Sequence, residues 1–230
     1  MLSTPRAAGA CRPMSPGLPG TIVITVLRNK TPAQVHVDVA GFALKYVRDW
    51  ERSLLAPLHT RPQVFVKILG KWQAARPARL RRLRIRAAEH PPPYIEDLLA
   101  AAAPHFRTLA RFRVGQPAAP TRSERSAVEN LWNVFSSLQQ TSAASCVAIT
   151  KAVLLLSDGR IGPAFDSQVR KKLRVRHLLS ASDWIAALTD ISDDILAFEA
   201  AHGVSLPNAV PPQFSTLSYG RLYDMALGPR

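Results

Sequence analysis

The sequence predicts an all-α protein, a single helical domain of about eight helices. Apolar residues recur at steps of three and four through most of the chain, which is the spacing of one face of an α-helix. Strand-like sequence is confined to the β-branched segment 21–27, and the sequence contains no visible internal repeat. The 230 residues, of which 47% are hydrophobic, suffice for one globular domain with its own core.

Residues 1–20 are predicted to form a disordered N-terminal tail, and residues 21–230 the helical domain. The tail is rich in Pro, Gly, Ala and Ser and lacks hydrophobic periodicity. It does not resemble a signal peptide, because no continuous apolar stretch follows Arg6. Segment 21–27 is predicted to be a single strand or the start of a helix, and it is too short to span a bilayer. We therefore expect no membrane partner.

From Pro32 the pattern becomes helical. It predicts an amphipathic helix that faces the core, and a shorter helix over Gln63–Lys71. Trp72 is expected either to close the core or to serve as a stacking platform, and the core position is favoured. His36 and Asp38 are too isolated to form a metal site. The apolar face of the first helix comprises Val35, Val39, Phe42, Ala43, Tyr46, Val47 and Trp50.

The densest basic run is RPARLRRLRIR, residues 76–86. Its arginines repel one another unless anions or solvent intervene, and nucleic-acid phosphates are suitable anions because their neutralisation releases counterions. The alternative is a solvated basic face. Because the whole chain is basic, we favour phosphate binding, with Arg79, Arg82 and Arg86 as candidate DNA contacts.

Two further helices are predicted, over Tyr94–Phe112 and Ser123–Leu138, joined by the linker VGQPAAPTRS. Thr121 and Glu124 have the spacing of a capping box for the second. Gln139–Thr141 then forms a short connection to the next helix, and Gln140 in this turn is a candidate phosphate contact.

The central stretch, residues 143–173, combines an apolar helix, a turn rich in glycine and a second helix. Lys151 is the basic residue of the apolar helix. Desolvation there would lower its pKa and make the neutral amine accessible, unless its stem follows the helix and its charge reaches water. Asp166 is a preferred N-cap for the second helix. Arg170, Lys171 and Lys172 continue this helix with positive charge and are candidate DNA contacts.

A long helix is expected from a cap at Ser180 or Ser182 to Gly203, and a last one over Thr216–Leu227. The acidic residues of the long helix are expected on a solvent-facing side turned away from DNA, and they resemble a metal site only superficially. These residues are Asp190, Asp193, Asp194 and Glu199.

The net charge is +14 and the pI about 10.8, which favours a polyanionic partner. Nucleic acid is the commonest such partner, although an acidic membrane surface, an RNA-rich complex or simply an arginine-rich proteome would also account for the charge. Cys11 and Cys146 lie far apart in the sequence, so no disulfide framework is predicted and a reducing cytoplasm is expected.

The segment ITKAVLLL, followed by GPAFDSQVRKKL, resembles the helix-hairpin-helix DNA glycosylase superfamily. The pair Thr150 and Lys151 is most similar to the 8-oxoguanine DNA glycosylase branch, and Pro163, Asp166 and Val169 match the aspartate motif of the superfamily. The resemblance covers about thirty residues, and YGRLYDMALG looks like a closing helix of such proteins. It implies that Lys151 is the attacking amine, Asp166 the assisting carboxylate, and that Phe214 and Tyr219 lie near the site.

The expected function is therefore that of a base-excision DNA glycosylase, possibly with AP lyase activity, for an oxidised purine such as 8-oxoguanine. The partner is double-stranded DNA with a damaged base. A monomer without cofactor or metal is expected, cytoplasmic and nucleoid-associated if bacterial. One alternative is a catalytically inactive DNA-binding protein of the same fold, because Ser145–Ile149 replaces the glycines of the hairpin. Another is a helical interaction protein without a nucleic-acid role.

Overall fold

The computed structural model describes residues 24–84, 90–176 and 178–228, and within these ranges the regular secondary structure is helical, with one isolated β-bridge. The all-α prediction is confirmed, with nine α-helices in the described ranges. The predicted tail, residues 1–20, lies outside them. The helices are α1 (Pro32–Ala40), α2 (Leu44–Leu55), α3 (Arg61–Lys71), α4 (Ile95–Thr108), α5 (Arg122–Ser136), α6 (Cys146–Ser157), α7 (Ser167–Leu173), α8 (Ala181–His202) and α9 (Tyr219–Ala226). Short 3₁₀ helices cover Pro77–Arg79, Leu206–Asn208 and Pro212–Phe214.

The helix predicted from Pro32 is in fact two helices, α1 and α2. Thr31 caps α1 through a capping box with Gln34, and Gly41 ends it. Glycine is a poor helix former, so the chain turns here at little cost. The turn brings Phe42, which is 5% exposed, into the core ahead of α2.

Helix α6 is the central helix of the fold. Ten of its twelve residues are buried, and α2, α3 and α5 pack against it. This burial on all sides is what its nearly continuous apolar sequence predicts. Any polar group on α6 must therefore find a partner inside the protein.

A tight turn connects α6 to α7, and the start of α9 packs against it. Asp158 ends α6 in the left-handed conformation, and Gly159 follows with a φ of +68°. Gly220 of α9 lies so close that an added Cβ would meet the Gly159 carbonyl oxygen at 2.1 Å. The turn and α9 thus share one tightly packed interface.

Asp194 corrects the prediction for α8. It was expected on the exposed acidic side but is fully buried. It accepts hydrogen bonds from the Leu27 amide (2.7 Å), the Arg28 guanidinium (3.0 Å) and the Tyr223 hydroxyl (2.9 Å). The reason is helical spacing, since Asp194 follows Ile191 by three residues and precedes Phe198 by four on the buried stripe. In the described part of segment 21–27, residues 24–27 adopt neither strand nor helix.

Candidate functional site

Lys151 is buried in α6, with 9% of its surface exposed. Its amine lies 3.0 Å from the carbonyl oxygen of Trp72, to which it donates a hydrogen bond. It also lies 3.8 Å from Oδ2 of Asp166. The charged end of the lysine therefore remains inside the protein, between two oxygen acceptors, rather than extending along the helix to water.

Asp166 has a separate role for each of its two carboxylate oxygens. Oδ1 accepts hydrogen bonds from the backbone amides of Gln168 (3.1 Å) and Val169 (3.0 Å), which confirms the predicted N-cap of α7. Oδ2 faces the Lys151 amine. The helix cap therefore fixes the direction in which the second oxygen points.

Thr150 ties the two parts of the site together. Its hydroxyl donates to the Cys146 carbonyl at 2.7 Å and accepts from the Phe165 amide at 2.9 Å. Phe165 precedes Asp166 and Thr150 precedes Lys151. This second bond therefore holds the two site residues close together, although 15 positions separate Phe165 from Thr150 in the sequence. Burial raises the pKa of the neighbouring Cys146 thiol, so this cysteine is not an activated nucleophile.

Lys151 and Asp166 line a pocket with a volume of about 150 Å³. One water molecule needs only about 15 Å³ by the same measure, so the pocket admits a larger ligand. Four aromatic residues line it: Phe42, Tyr46, Trp50 and Trp72. Leu154, Ala164, Gln168 and Asp224 complete the lining.

The aromatic rings of the wall contact one another. The centroids of Phe42 and Trp50 are 5.8 Å apart in a stacked arrangement, and Tyr46 meets the edge of Trp72 at 6.0 Å. Such pairs hold their rings in defined orientations. Phe42 and Trp50 are almost fully buried, so the half-buried rings of Tyr46 and Trp72 are the ones that an aromatic ligand could contact.

Asp49 orients Trp72, and sequence analysis did not identify it. It is 1% exposed and accepts from the Trp72 indole N–H at 2.9 Å, while its ion pair with Lys71 measures 2.7 Å. The sequence does carry a signal: Asp49 shares the apolar face of α2 with Tyr46 and Ser53, a position unusual for a carboxylate. Asp224, also unidentified from sequence, lies on α9 and is 2% exposed.

Arg221 supports the pocket from behind Trp50. Its guanidinium lies 4.6 Å from the centroid of the Trp50 ring and forms an ion pair with Asp158 in the α6–α7 turn. Burial lowers the pKa of Arg221 to about 10, so the side chain stays charged at neutral pH. Burial also raises the pKa of Asp158, and the positive charges of Arg221 and Arg160 act in the opposite direction.

The structure brings two of the candidate DNA contacts together. The backbone N–H of Gln140 donates to the backbone carbonyl of Arg79 at 2.9 Å, beside the isolated β-bridge between Leu80 and Gln139. Arg79 and Arg82 are exposed, whereas Arg86 lies outside the described residues. Within the same run Arg81 is structural, since it donates to the Ser137 carbonyl at 2.6 Å.

The basic residues of α7 differ in their exposure and in the hydrogen bonds that they form within the protein. Lys171 is exposed, and Arg170 and Lys172 are half-buried. The Lys172 amine donates to the Gly228 carbonyl at 2.8 Å. Lys171 is therefore the basic residue of this helix that is most open to a phosphate.

Phe214 and Tyr219, expected near the site, lie elsewhere in the described part of the chain. Phe214 lines a separate groove beside α2, and the Tyr219 hydroxyl donates to Glu199 of α8 at 2.9 Å. Tyr219 begins α9, and its hydroxyl bond to Glu199 directs its ring toward α8. The aromatic groups of the pocket come instead from Tyr46 and Trp50 of α2, from Phe42 ahead of α2 and from Trp72, the residue after α3.

The chain was compared with protein-family models, curated proteins and solved structures. No family model, curated protein or solved structure matches it.

Among residues 24–84, 90–176 and 178–228, no helix has the length and apolar character needed to cross a membrane. In the same ranges, no three His, Cys, Asp or Glu side chains converge as a set of metal ligands.

Proposed function

We propose that this protein is a base-excision DNA glycosylase with AP lyase activity that removes an oxidised purine, such as 8-oxoguanine, from double-stranded DNA. The observation that carries the proposal is the Lys151 amine 3.8 Å from the Asp166 carboxylate in a pocket lined by four aromatic residues. An amine nucleophile, an adjacent carboxylate and a stacking surface are the groups that excision of an extruded base requires.

Excision begins with extrusion of the damaged nucleotide from the duplex, at a cost of a few kcal/mol. Stacking of the base on the pocket wall offsets part of this cost, since base–aromatic stacking contributes about 1–3 kcal/mol per base. Trp72 and Tyr46 are half-buried, so their rings belong both to the wall and to the surface that the base enters from.

The reaction proceeds by displacement at the sugar. The Asp166 carboxylate accepts a proton from the Lys151 ammonium, and the resulting neutral amine attacks C1′ as the bond between C1′ and the base breaks. The base leaves with the electron pair of that bond and takes up the proton from Asp166. The carboxylate, ionised again, stabilises the positive charge of the amine that is now attached to the sugar. Opening of the sugar ring gives a Schiff base, from which elimination of the 3′ phosphate cuts the strand.

Phosphate contacts hold the duplex against the pocket. Arg79, Arg82 and Lys171 are exposed, and the Gln140 turn adjoins Arg79. Each neutralised phosphate releases counterions and adds affinity without regard to base sequence. We propose that the protein works in this way as a monomer in the cytoplasm, bound to the nucleoid if the cell is bacterial.

One observation favours a second candidate, a DNA-binding protein of the same fold that lacks the reaction. The Lys151 amine donates to the Trp72 carbonyl, and such a bond also satisfies a lysine whose role is purely structural. In that case the pocket would bind a base without cleaving the bond to its sugar.

Borohydride trapping on a labelled duplex that carries 8-oxoguanine separates the two candidates. Borohydride reduces the Schiff base to a stable amine, so the active protein becomes covalently attached to the DNA. We expect an adduct with the unaltered chain, none with Lys151→Gln, and at least about a hundredfold slower formation with Asp166→Asn. Asparagine keeps the cap of α7, so the second variant tests the charge with the helix intact.

The controls are Lys67→Gln, which removes an exposed lysine of α3, and an undamaged duplex. Thermal unfolding followed by circular dichroism establishes that each variant is folded. If the unaltered protein forms no adduct and releases no base, yet binds the lesion duplex, the glycosylase proposal is wrong and the binding protein is the better description.

A further inference from the structure

A second and larger cavity, the α3–α4 groove, lies apart from the pocket that contains Lys151. It is lined by the α2–α3 turn, the start of α3, one face of α4 and the end of α6. Its volume is about 580 Å³, within the range of about 300–1,000 Å³ that is usual for binding sites. Among the described residues, none lines both cavities. An occupant of the groove therefore has no part in the proposed reaction.

Part of the lining is an apolar stripe of α4. Leu99, Ala103 and Phe106 follow one another at four- and three-residue steps, and all three are half-buried. The Phe106 ring contacts the ring of the core residue Phe135, with centroids 6.4 Å apart. The stripe is therefore anchored to the core while it remains partly open to solvent.

Two leucines at this end of the molecule are highly exposed. Leu58 lines the groove and is 78% exposed, and Leu55, the last residue of α2, is 82% exposed. Isolated exposed leucines are common, but apolar side chains that enlarge an apolar groove are typical of interaction sites. A partner that covers them removes their surface from water, which favours association.

The charged residues of the lining favour an acidic partner. Arg61, Arg107 and His59 are basic, and Arg107 and His59 are exposed. None of the ion pairs between described residues includes Arg61 or Arg107. Glu96 is the carboxylate of the described lining, and its two oxygens accept from the backbone N–H of Arg84 at 3.2 and 3.1 Å. The two arginines are thus available to carboxylates of a partner.

The same features disfavour other occupants. A second copy of the chain also carries a charge of +14, and a symmetric contact would set the basic lining of one groove against that of the other. Segment 1–20 contains no acidic residue to pair with the arginines. Duplex DNA presents phosphates but little apolar surface to cover the leucines, and a flat membrane does not fill a concave groove.

We propose that the α3–α4 groove binds an acidic amphipathic helix of a partner protein. The apolar side of this helix packs on the α4 stripe and on Leu58, and its carboxylates pair with Arg61 and Arg107. The stripe from Leu99 to Phe106 is about 10 Å long at 1.5 Å per residue, which matches about two turns of a partner helix. Apolar anchors at such spacing are how a groove reads a helix. This interaction surface is independent of the proposed function.

Fluorescence anisotropy of labelled synthetic peptides tests the proposal on the full chain. The probe is an alanine-rich peptide of about 16 residues, with Leu, Leu and Phe at steps of four and three and glutamates beside them. One control peptide has the same residues in an order that spreads the apolar ones around the helix. Another has lysine in place of each glutamate. At about 0.15 M salt, where screening acts beyond about 8 Å, we expect the probe to bind at least about tenfold more tightly than either control.

Two pairs of variants locate the binding surface. Leu58→Ser is matched by Leu179→Ser, since Leu179 is 81% exposed in the α7–α8 connection. Arg107→Glu is matched by Arg176→Glu, which gives the same net charge at another exposed arginine. We expect Leu58→Ser and Arg107→Glu each to weaken binding of the probe at least about fivefold, and the matched variants to stay within about twofold of the unaltered chain.

The unaltered chain alone can overturn the proposal, because equal binding of the probe and the reordered peptide would mean attraction by charge without recognition of a helix face. Equal losses in the members of a pair would place the site elsewhere. Sedimentation velocity and flotation with phosphatidylglycerol vesicles test the other occupants. A dimer or a vesicle complex that Leu58→Ser abolishes, together with no preference for the probe, would assign the groove to that occupant and reject the partner helix.

Discussion

Trp72 contributes to the site with two different parts of one residue. Its ring is part of the pocket wall, and its carbonyl oxygen accepts from Lys151 at 3.0 Å. The positions of the ring and of the carbonyl group both depend on the orientation of Trp72. Asp49 fixes this orientation by accepting a hydrogen bond from the indole N–H at 2.9 Å. Asp49 is thus a positioning residue that acts on Lys151 through Trp72.

Substitution of Asp49 by Asn is expected to lower the stability of the fold and to slow the proposed reaction. Asparagine keeps an acceptor for the indole but loses the ion pair with Lys71, whose side chain is 52% exposed and so stays hydrated. We expect a loss of about 1–3 kcal/mol in the free energy of unfolding in urea, and slower adduct formation in the trapping assay. Asp193→Asn, which removes an exposed carboxylate, is the control. Adduct formation at the original rate in a destabilised Asp49→Asn protein would show that Asp49 serves stability alone.

The residues of the site were predictable from sequence to different degrees. The cap at Asp166 follows from local rules, since its partners lie two and three residues away. The proximity of Asp166 to Lys151 was implied by a motif. Asp49 and Asp224 were missed because their roles depend on contacts between α2, α3 and α9, which spacing along the chain does not specify.

At the scale of elements, α5, α7 and α8, for which capping residues were predicted, begin directly after those residues. Thr121 caps α5 and Ser180 caps α8 through capping boxes, and Gly203 ends α8. The break at Gly41 was missed because the three- and four-residue spacing of apolar side chains continues across it, from Val39 to Phe42 and Tyr46. The predicted helix over Thr216–Leu227 begins only at Tyr219, because residues 215–217 form a turn and Ser218 is the N-cap.

The contact of α9 with the α6–α7 turn admits no side chain at position 220. An alanine Cβ would lie 2.1 Å from the Gly159 carbonyl oxygen, and a backbone atom cannot move aside as a side chain can. We expect Gly220→Ala to lower the free energy of unfolding by about 3 kcal/mol, the upper end of the usual range for overpacking. It also displaces Asp224 and Arg221 on the same helix.

Gly70→Ala is the matched control for this substitution. Gly70 lies within α3, and an added Cβ would meet nothing within 4 Å. Alanine is the better helix former, so this variant is expected to gain up to about 1 kcal/mol. Urea unfolding measures both. Equal midpoints for the two variants would mean that α9 can move away from the turn at no cost.

For the whole molecule, the net charge is +14, and the basic residues that produce it fall into two groups, those paired with carboxylates and those exposed at the surface. Asp49, Asp158 and Asp194 pair with basic residues in or near the interior. Many arginines stay at the surface, among them Arg79 and Arg82. The net charge predicted attraction to a polyanion, but it did not predict which surface would bind one. The location of such a surface depends on which basic side chains form contacts within the protein and which remain exposed.

Salt dependence of DNA binding locates that surface. The double variant Arg79→Gln with Arg82→Gln has the same net charge as Arg111→Gln with Arg122→Gln, whose arginines are also exposed. The logarithm of the binding constant falls with the logarithm of salt concentration, with a slope of about −0.9 for each phosphate contacted. If Arg79 and Arg82 each contact one phosphate, the first variant loses nearly two from the magnitude of the slope. The second retains the original slope and weakens binding only through the long-range field.

Fluorescence anisotropy on an undamaged duplex, over a range of salt concentrations, measures both slopes. A similar loss in both variants would indicate that the protein attracts DNA through its overall charge, with no phosphate site at the junction of Arg79 and Gln140.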